Sequence, residues 1–458
     1  MYNLILFGAG RYVKSYIQLI RFLGDTVSFI VDNDIEKQGK KIEGVEIISP
    51  GKLVDLDEPI MVSCMAFDEI RILLKELGVE SREIRLEDYL EQKSDKVNKK
   101  DKIKNNNIDS VVFDLYSGSK WGGAENWNLL LANQISESQS QYKVSIISDE
   151  YAAIDEDLDF PIESFPNHGE MKLIIDYLSR DNGSIFVNSF FGKSFFAAIA
   201  LKLRNPLKVK VVTIVHNDYK DLYKLCSMFE EYIDTYICVS TKIKQTLISQ
   251  YNILEKKIFY LSQPILFDKT YSINDKKDYD YINIGIAGRL VSPQKRCDLI
   301  PKIIERLENA DLNYKLYIAG DGDLFYSISD YIKERNLEDR ITMYGKIPND
   351  KMGDFWKKID IYLNFSEFEG TSLSMLEAMS YGCVPVASDV SGVKDFIEHG
   401  INGYIYNFGD LDMLCQNIFL LEKDRKLMRN MGGLSREIIM AKCEIKKYAD
   451  DFLKIVGK

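Results

Sequence analysis

Two carboxylates eight positions apart, Glu369 and Glu377, bracket a turn that runs into a helix start. The stretch from Ile361 to Gly382 reads IYLNFSEFEGTSLSMLEAMSYG. Its opening, Ile361 to Phe365, is an apolar strand. The turn follows through Ser366, Glu367, Phe368, Glu369 and Gly370. Leu373, Met375, Leu376, Ala378 and Met379 then recur on a helical period. Thr371 or Ser372 is expected as the N-cap. In an open α/β sheet, ligands bind in the crevice at the carboxyl ends of the strands. A helix start there offers free backbone N–H groups and a positive dipole end, which suits a diphosphate. Two cations, Arg289 and Lys295, lie six positions apart across another loop that leads into a helix. Arg brings a planar fork and Lys a point charge. Glu pairs at this spacing are common on solvated helices, so the surrounding pattern carries the reading.

Length and composition bound the rest. A chain of 458 residues has room for roughly three domains at ~150 residues each. Hydrophobic residues are 46% and charged residues 28%, ordinary for a globular protein. A formal net charge of -11 argues against a nucleic-acid partner. The 7 Cys are scattered without a CxxC, and His168, His216 and His399 do not pair with them at zinc spacing. Core thiols in a reduced setting are expected, with no metal site. The opening MYNLILF reads as a strand, with neither a basic n-region nor a small-residue cleavage site, so no signal peptide is expected. No apolar run is long enough to span a bilayer.

Three α/β series follow one another. In residues 1–90, the strand Leu4–Phe7 leads to Gly8-Ala9-Gly10, a helix runs through Leu23, and a second strand, Val27–Val31, ends at Asp32. This is half of a dinucleotide fingerprint, with Val13 where the third Gly would stand. Two readings stay open: a ligand at Gly8, Gly10 and Asp32, or a degenerate domain that only docks a protein partner. Residues 91–107 read as a solvated linker. The second series, 108–263, has strands expected at Val111–Tyr116, Val144–Ile147, Ile185–Asn188, Val209–Val215, Thr235–Val239 and Ile258–Leu261. Gly122 and Gly123 sit where its first strand hands over to a helix, and His216 ends its fourth strand. Between Asn182 and Asn217 there is no acidic residue, and Phe190, Phe191, Phe195 and Phe196 accompany five cations. That segment is either a core helix with basic ends or a patch that meets an anionic membrane surface. Residues 264–280 are polar and irregular, a second linker. The third series, 281–435, has strands expected at Ile282–Ala287, Leu316–Ala319, Ile341–Tyr344, Ile361–Phe365, Val384–Ala387 and Gly403–Ile405. Helical residues complete the chain, with 436–458 as a final helix.

The turn and helix at 369–382, followed by CVPVASD, together with GRLVSPQKRCDLI and the Gly122-Gly123-Ala124-Glu125 run, resemble retaining glycosyltransferases of the GT-B fold, most closely family 4. The resemblance covers roughly 108–458. It implies an α/β fold with two Rossmann-like doubly wound domains facing a cleft, here preceded by an extra Rossmann-like domain. That first domain is similar to those on some bacterial sugar-modifying acyltransferases. The resemblance implies a nucleotide-sugar donor, most often a UDP-sugar, and a glycan, lipid-linked or protein acceptor. Catalytic roles fall to His216, Glu369 and Glu377. Gly122, Gly123, Arg289, Lys295, Gly370, Thr371, Ser372 and Leu373 would hold the donor, with its base near Gly345 and Ile347. Asp321 and Asp323 match the family's GDG loop, so no metal or other cofactor is implied. A cytoplasmic protein, at or near the inner membrane face, is expected. One departure is the EGTS turn, where Ser372 replaces a Gly common in the family. A catalytically inactive GT-B subunit and a nucleotide-sugar epimerase are the alternatives.

Overall fold

The computed structural model describes residues 1–10, 12–94, 108–115, 123–138, 141–148, 160–165, 171–277, 279–310 and 312–457. Three sheets carry the fold. The first holds β1 (Asn3–Phe7), β2 (Thr26–Val31), β3 (Lys41–Ile42), β4 (Val45–Ile48) and β5 (Ile60–Val62) in the order β3-β4-β2-β1-β5. The second holds β6 (Ser110–Leu115), β7 (Lys143–Ser148), β8 (Ile162–Ser164), β9 (Ser184–Asn188), β10 (Val209–Val215), β11 (Thr235–Cys238) and β12 (Ile258–Tyr260), in the order β12-β11-β10-β9-β6-β7-β8. The third holds β13 (Ile282–Ala287), β14 (Tyr314–Ala319), β15 (Ile341–Gly345), β16 (Ile361–Asn364), β17 (Val384–Ser388) and β18 (Tyr404–Tyr406). All of its pairings are parallel. Parallel strands sandwiched by helices are buried on both faces, which is why they read as unbroken apolar runs.

The chain divides into two compact units, one of Met1–Ile214, Lys220–Tyr236 and Leu453–Lys458, the other of Val215–Tyr219 and Ile237–Phe452. In the first unit the N-terminal sheet does not stand alone. Its Val13–Phe22 helix packs on the Lys193–Arg204 helix, with the Tyr16 and Phe196 rings 5.2 Å apart. The Arg204 guanidinium lies 3.8 Å from the Phe22 ring centre and donates to the Phe22 carbonyl at 2.7 Å. The middle of the basic stretch, Lys193–Arg204, is a largely buried helix. Phe191, Phe195 and Phe196 are buried, and Lys202 pairs with Asp234. Phe196 meets Tyr16 of the N-terminal helix, while Phe191 and Phe195 pack on each other and on Phe229.

In the second unit, the segment expected as a loose linker is anchored. Ile265 N–H donates to the Cys443 carbonyl at 2.8 Å, and the Tyr271 and Tyr381 rings meet at a 51° tilt with centres 5.1 Å apart. The terminal helix expected from 436 is two helices, Arg425–Lys442 and Ile445–Val456. The first of these packs on the helix that follows β16. Gly432 makes this possible: a Cβ there would stand 2.3 Å from the Gly382 carbonyl oxygen.

Candidate active site

The third sheet runs β15-β14-β13-β16-β17-β18. The chain moves outward from β13 to β15, then returns to the other side of β13 as β16. The connections from β13 and β16 therefore diverge, and the crevice beyond their carboxyl ends is a topological switch point. The register Ile284↔Ile361 and Gly285↔Tyr362 sets the loop after β13 beside the turn after β16. Glu367 N–H donates to the Gln294 carbonyl at 3.0 Å and ties the two together.

Lys295 closes this junction. Its Nζ lies 2.5 Å from Glu369 Oε1, which also accepts from Ser366 Oγ at 2.9 Å. The Ser366 N–H donates to Asn364 Oδ1 at 3.0 Å and fixes the start of the turn. Glu369 is only 5% exposed. A buried carboxylate needs a paired charge and hydrogen bonds, and Lys295 with Ser366 supplies both. Arg289 stays on the exposed rim, donating to Gln294 Oε1 at 3.0 Å.

The turn delivers the chain to the Leu373–Ser380 helix. Ser372 holds the N-cap position, but its side chain makes no cap hydrogen bond. Its hydroxyl pairs with the Tyr362 hydroxyl at 3.3 Å, while Thr371 Oγ1 donates to the Val239 carbonyl at 2.7 Å. The expected capping role is thus corrected, because both hydroxyls have tertiary partners that outcompete the local one. A helix start whose N-cap side chain is turned away can take an anion on its first N–H groups.

Glu377 lies one turn into this helix and is half-buried. Trp356 Nε1 donates to its Oε2 at 3.4 Å. Burial raises the Glu377 pKa to about 7. On the opposite wall His216 is 8% exposed, and burial lowers its pKa to about 3, so the imidazole is neutral at pH 7. Its backbone is pressed against the turn. A Cβ on Gly370 would stand 1.8 Å from the His216 carbonyl oxygen and 2.9 Å from Val239 Cγ2.

The neighbouring strand ends close the floor. Gly320 has φ +136°, and a Cβ there would sit 1.9 Å from the Gly288 carbonyl oxygen. Only glycine allows the loop after β14 to lie this close to the loop that carries Arg289. Gly320 N–H donates to the Gly345 carbonyl at 2.7 Å. Ile347, two residues beyond, packs in the cluster of Trp356 and Met375. Asp321 Oδ1 accepts from Gly322 N–H at 2.7 Å, a local turn contact.

One unit therefore gathers His216, Arg289, Lys295, Gly345, Ile347, Glu369, Gly370, Thr371, Ser372, Leu373 and Glu377. Gly123 belongs to the other unit, where it begins the Gly123–Ser138 helix, and Gly122 lies outside the described residues. Gly8, Gly10 and Asp32 also belong to the other unit. There Asp32 Oδ2 accepts from Ala9 N–H at 2.7 Å and lies 3.4 Å from Lys37 Nζ. Sequence reasoning missed Gln294, Ser366 and Trp356, which hold the three key side chains. Nothing in their spacing signals it, since each contact arises only when distant strand ends become neighbours.

Residues 269–437 match the family model described as glycosyl transferases group 1, and residues 1–85 match one described as C2185-like, N-terminal. The chain is 27% identical over 202 residues to N-acetyl-alpha-D-glucosaminyl L-malate synthase of Bacillus anthracis, covering 44% of this chain and 51% of that one. It is 31% identical over 188 residues to lipopolysaccharide 1,6-galactosyltransferase of Escherichia coli, covering 40% and 51%. The chain spans about half the length of these curated relatives. Among solved structures, TarM superposes with a TM-score of 0.65 at 15% identity, covering 78% of this chain and 100% of that one. HepE from Anabaena in complex with UDP gives 0.61 at 15%, covering 76% and 99%. The fold is GT-B, and the group 1 match supports a glycosyltransferase.

Proposed function

We propose that this chain is a retaining glycosyltransferase of the family 4 type, moving a hexose or N-acetylhexosamine from a nucleotide-diphospho-sugar to an acceptor. The observation that carries the reading is the Lys295–Glu369 pair, seated beside an anion-ready helix start at the switch point. UDP is the favoured nucleotide, since HepE, a neighbour in fold, is described with UDP. A bacterial surface glycan, lipid-linked or glycoprotein acceptor is favoured, in keeping with a relative described as acting on lipopolysaccharide.

In this reading the diphosphate lies over the first N–H groups of the Leu373–Ser380 helix, with Arg289 and Lys295 on it. Cleavage of the sugar–phosphate bond develops negative charge on the leaving phosphate, and these fixed cations stabilise it. Glu369, freed from Lys295 as the phosphate takes that cation, holds the sugar hydroxyls. Glu377 accepts from the ribose hydroxyls. Neutral His216 meets the donor sugar, and the base rests near Gly345 and Ile347. The cations and helix start supply the positive charge, so no metal or cofactor is invoked. In the N-terminal sheet, Asp32 is engaged by its own glycine loop, which favours a docking role over a ligand site at Gly8 and Gly10. No helix among the described residues is long and apolar enough to cross a membrane.

The test is turnover of UDP-, GDP-, ADP- and CDP-sugars with glycan acceptors, with the anomeric configuration of the product read by NMR. Transfer with retention supports the reading, and transfer with inversion refutes it. Nucleotide binding without turnover would favour the inactive subunit, and an epimerised nucleotide sugar without transfer would favour the epimerase.

A further inference from the structure

The two ends of the Leu373–Ser380 helix are served unequally. Its C-terminal carbonyls are met by cations. Arg436 donates to the Ser380 carbonyl, and Lys276 Nζ lies 3.4 Å and 3.3 Å from the Tyr381 and Gly382 carbonyl oxygens. At the other end, the N–H groups of Leu373, Ser374 and Met375 have no acceptor among the described residues, and the first turn carries no acid. Such donors are ordinarily met by a side chain, water or a ligand.

Ser372 has the local means to meet one of them. It holds the N-cap with extended backbone, φ -72° and ψ 114°, from which a serine hydroxyl can accept from the helix. Ser240 does this at the start of the Thr241–Ser249 helix, accepting from Ile243 N–H at 3.1 Å, although its hydroxyl also pairs with that of Ser391 at 2.6 Å. A tertiary partner does not by itself prevent capping; its position decides. For Ser372 that partner is the Tyr362 hydroxyl, 3.3 Å away. Tyr362 is 2% exposed and sits in mid-sheet on β16, between β13 and β17. Its ring meets that of Trp356 edge-on, with centres 5.7 Å apart. A ring held on all sides fixes where its hydroxyl stands, and a buried phenol needs a partner.

We propose that Tyr362 is a positioning residue for the donor: its hydroxyl holds the Ser372 side chain off the helix start and keeps the first-turn N–H groups open to the diphosphate. This rests on the nucleotide-sugar reading given above. A serine cap bond is worth about a five-fold change in an equilibrium constant. Were it formed, it would have to break each time a diphosphate took the same N–H groups. The tyrosine removes that competition before the ligand arrives. Phenylalanine would fill the same place in the sheet and release the serine to cap.

The experiment is titration calorimetry of the full chain with UDP, GDP, ADP and CDP, on the wild type, Tyr362→Phe, Ser372→Ala and the double variant, with melting temperatures of the ligand-free proteins alongside. For the tightest nucleotide, Tyr362→Phe should raise the dissociation constant about five-fold while melting no lower than the wild type, because the freed hydroxyl gains the cap. Made on Ser372→Ala, the same change should cost less than two-fold, since no hydroxyl remains to compete. An unchanged dissociation constant in Tyr362→Phe overturns the proposal, as does a loss that persists on Ser372→Ala. A loss that comes with a lower melting temperature also overturns it, by showing a merely structural hydrogen bond. Each of these leaves nucleotide binding by the wild type in place. Absence of that binding is instead the failure of the donor reading, and this proposal falls with it.

Discussion

Replacing Glu377 by Gln should make the protein more stable while weakening its hold on a nucleotide. Burial lifts the Glu377 pKa from 4.5 to about 7. At 1.36 kcal/mol per pH unit, the ionised form costs the fold about 3 kcal/mol. The residue is only half-buried, and solvent screening brings that to about 2 kcal/mol. The folded chain holds this proton more tightly than the unfolded chain does. The stability tied to it is therefore fully present below pH 4.5 and is lost as pH rises through about 7. Gln keeps the shape and can still accept from Trp356 Nε1, yet carries no charge. At pH 8, Glu377→Gln should melt about 4–8 °C above the wild type, on a scale of ~2–4 °C per kcal/mol for a unit of this size. At pH 4.5 the two should melt together. Differential scanning fluorimetry at both pH values measures it. A gain that is the same at both pH values, or a loss at pH 8, refutes the reasoning. A charge kept at such a cost in a crevice is the pattern of a functional group, and removing it trades activity for stability.

Lys295→Ala removes a charge-assisted contact to phosphate worth about 1.5–3 kcal/mol, so the dissociation constant for the diphosphate should rise roughly 10- to 150-fold by titration calorimetry. Gly370→Ala drives a Cβ into the His216 carbonyl and should cost about 1–3 kcal/mol, seen as a lower melting temperature. Since burial lowers the His216 pKa to about 3, the unfolded chain binds that proton more readily. Stability should fall as pH drops below about 6.5, and His216→Gln should blunt that fall in an acid-unfolding series. His216→Gln should also lower kcat without moving the limbs of the pH–rate profile, because the imidazole does not titrate near neutrality.

Much of the site was legible because its residues lie at strand ends, where apolar runs stop abruptly. β13, β16 and β17 were expected at Ile282–Ala287, Ile361–Phe365 and Val384–Ala387, and they stand at Ile282–Ala287, Ile361–Asn364 and Val384–Ser388. The short β8, Ile162–Ser164, was not foreseen, since three residues carry no periodicity. Ser372 stands at the N-cap as expected, but its hydroxyl and that of Thr371 turn to Tyr362 and Val239, partners across the fold that local rules cannot see. The partner of the Phe-rich helix at 193–204 was not legible, because Tyr16, which meets Phe196, lies 180 residues earlier in the sequence. Residues such as Gln294 and Trp356 act through contacts set by sheet order, which no spacing encodes.

The most direct test of the central claim is a thermal-shift panel of UDP, GDP, ADP and CDP with their sugars, on the wild type and on Lys295→Ala. A ligand at ~100 times its dissociation constant adds about 2.7 kcal/mol, which is readily seen. A shift with one nucleotide class, lost or strongly reduced in Lys295→Ala, is the result expected of a diphosphate held at the β13–β16 crevice. No shift with any nucleotide, or a shift that Lys295→Ala leaves unchanged, would contradict it.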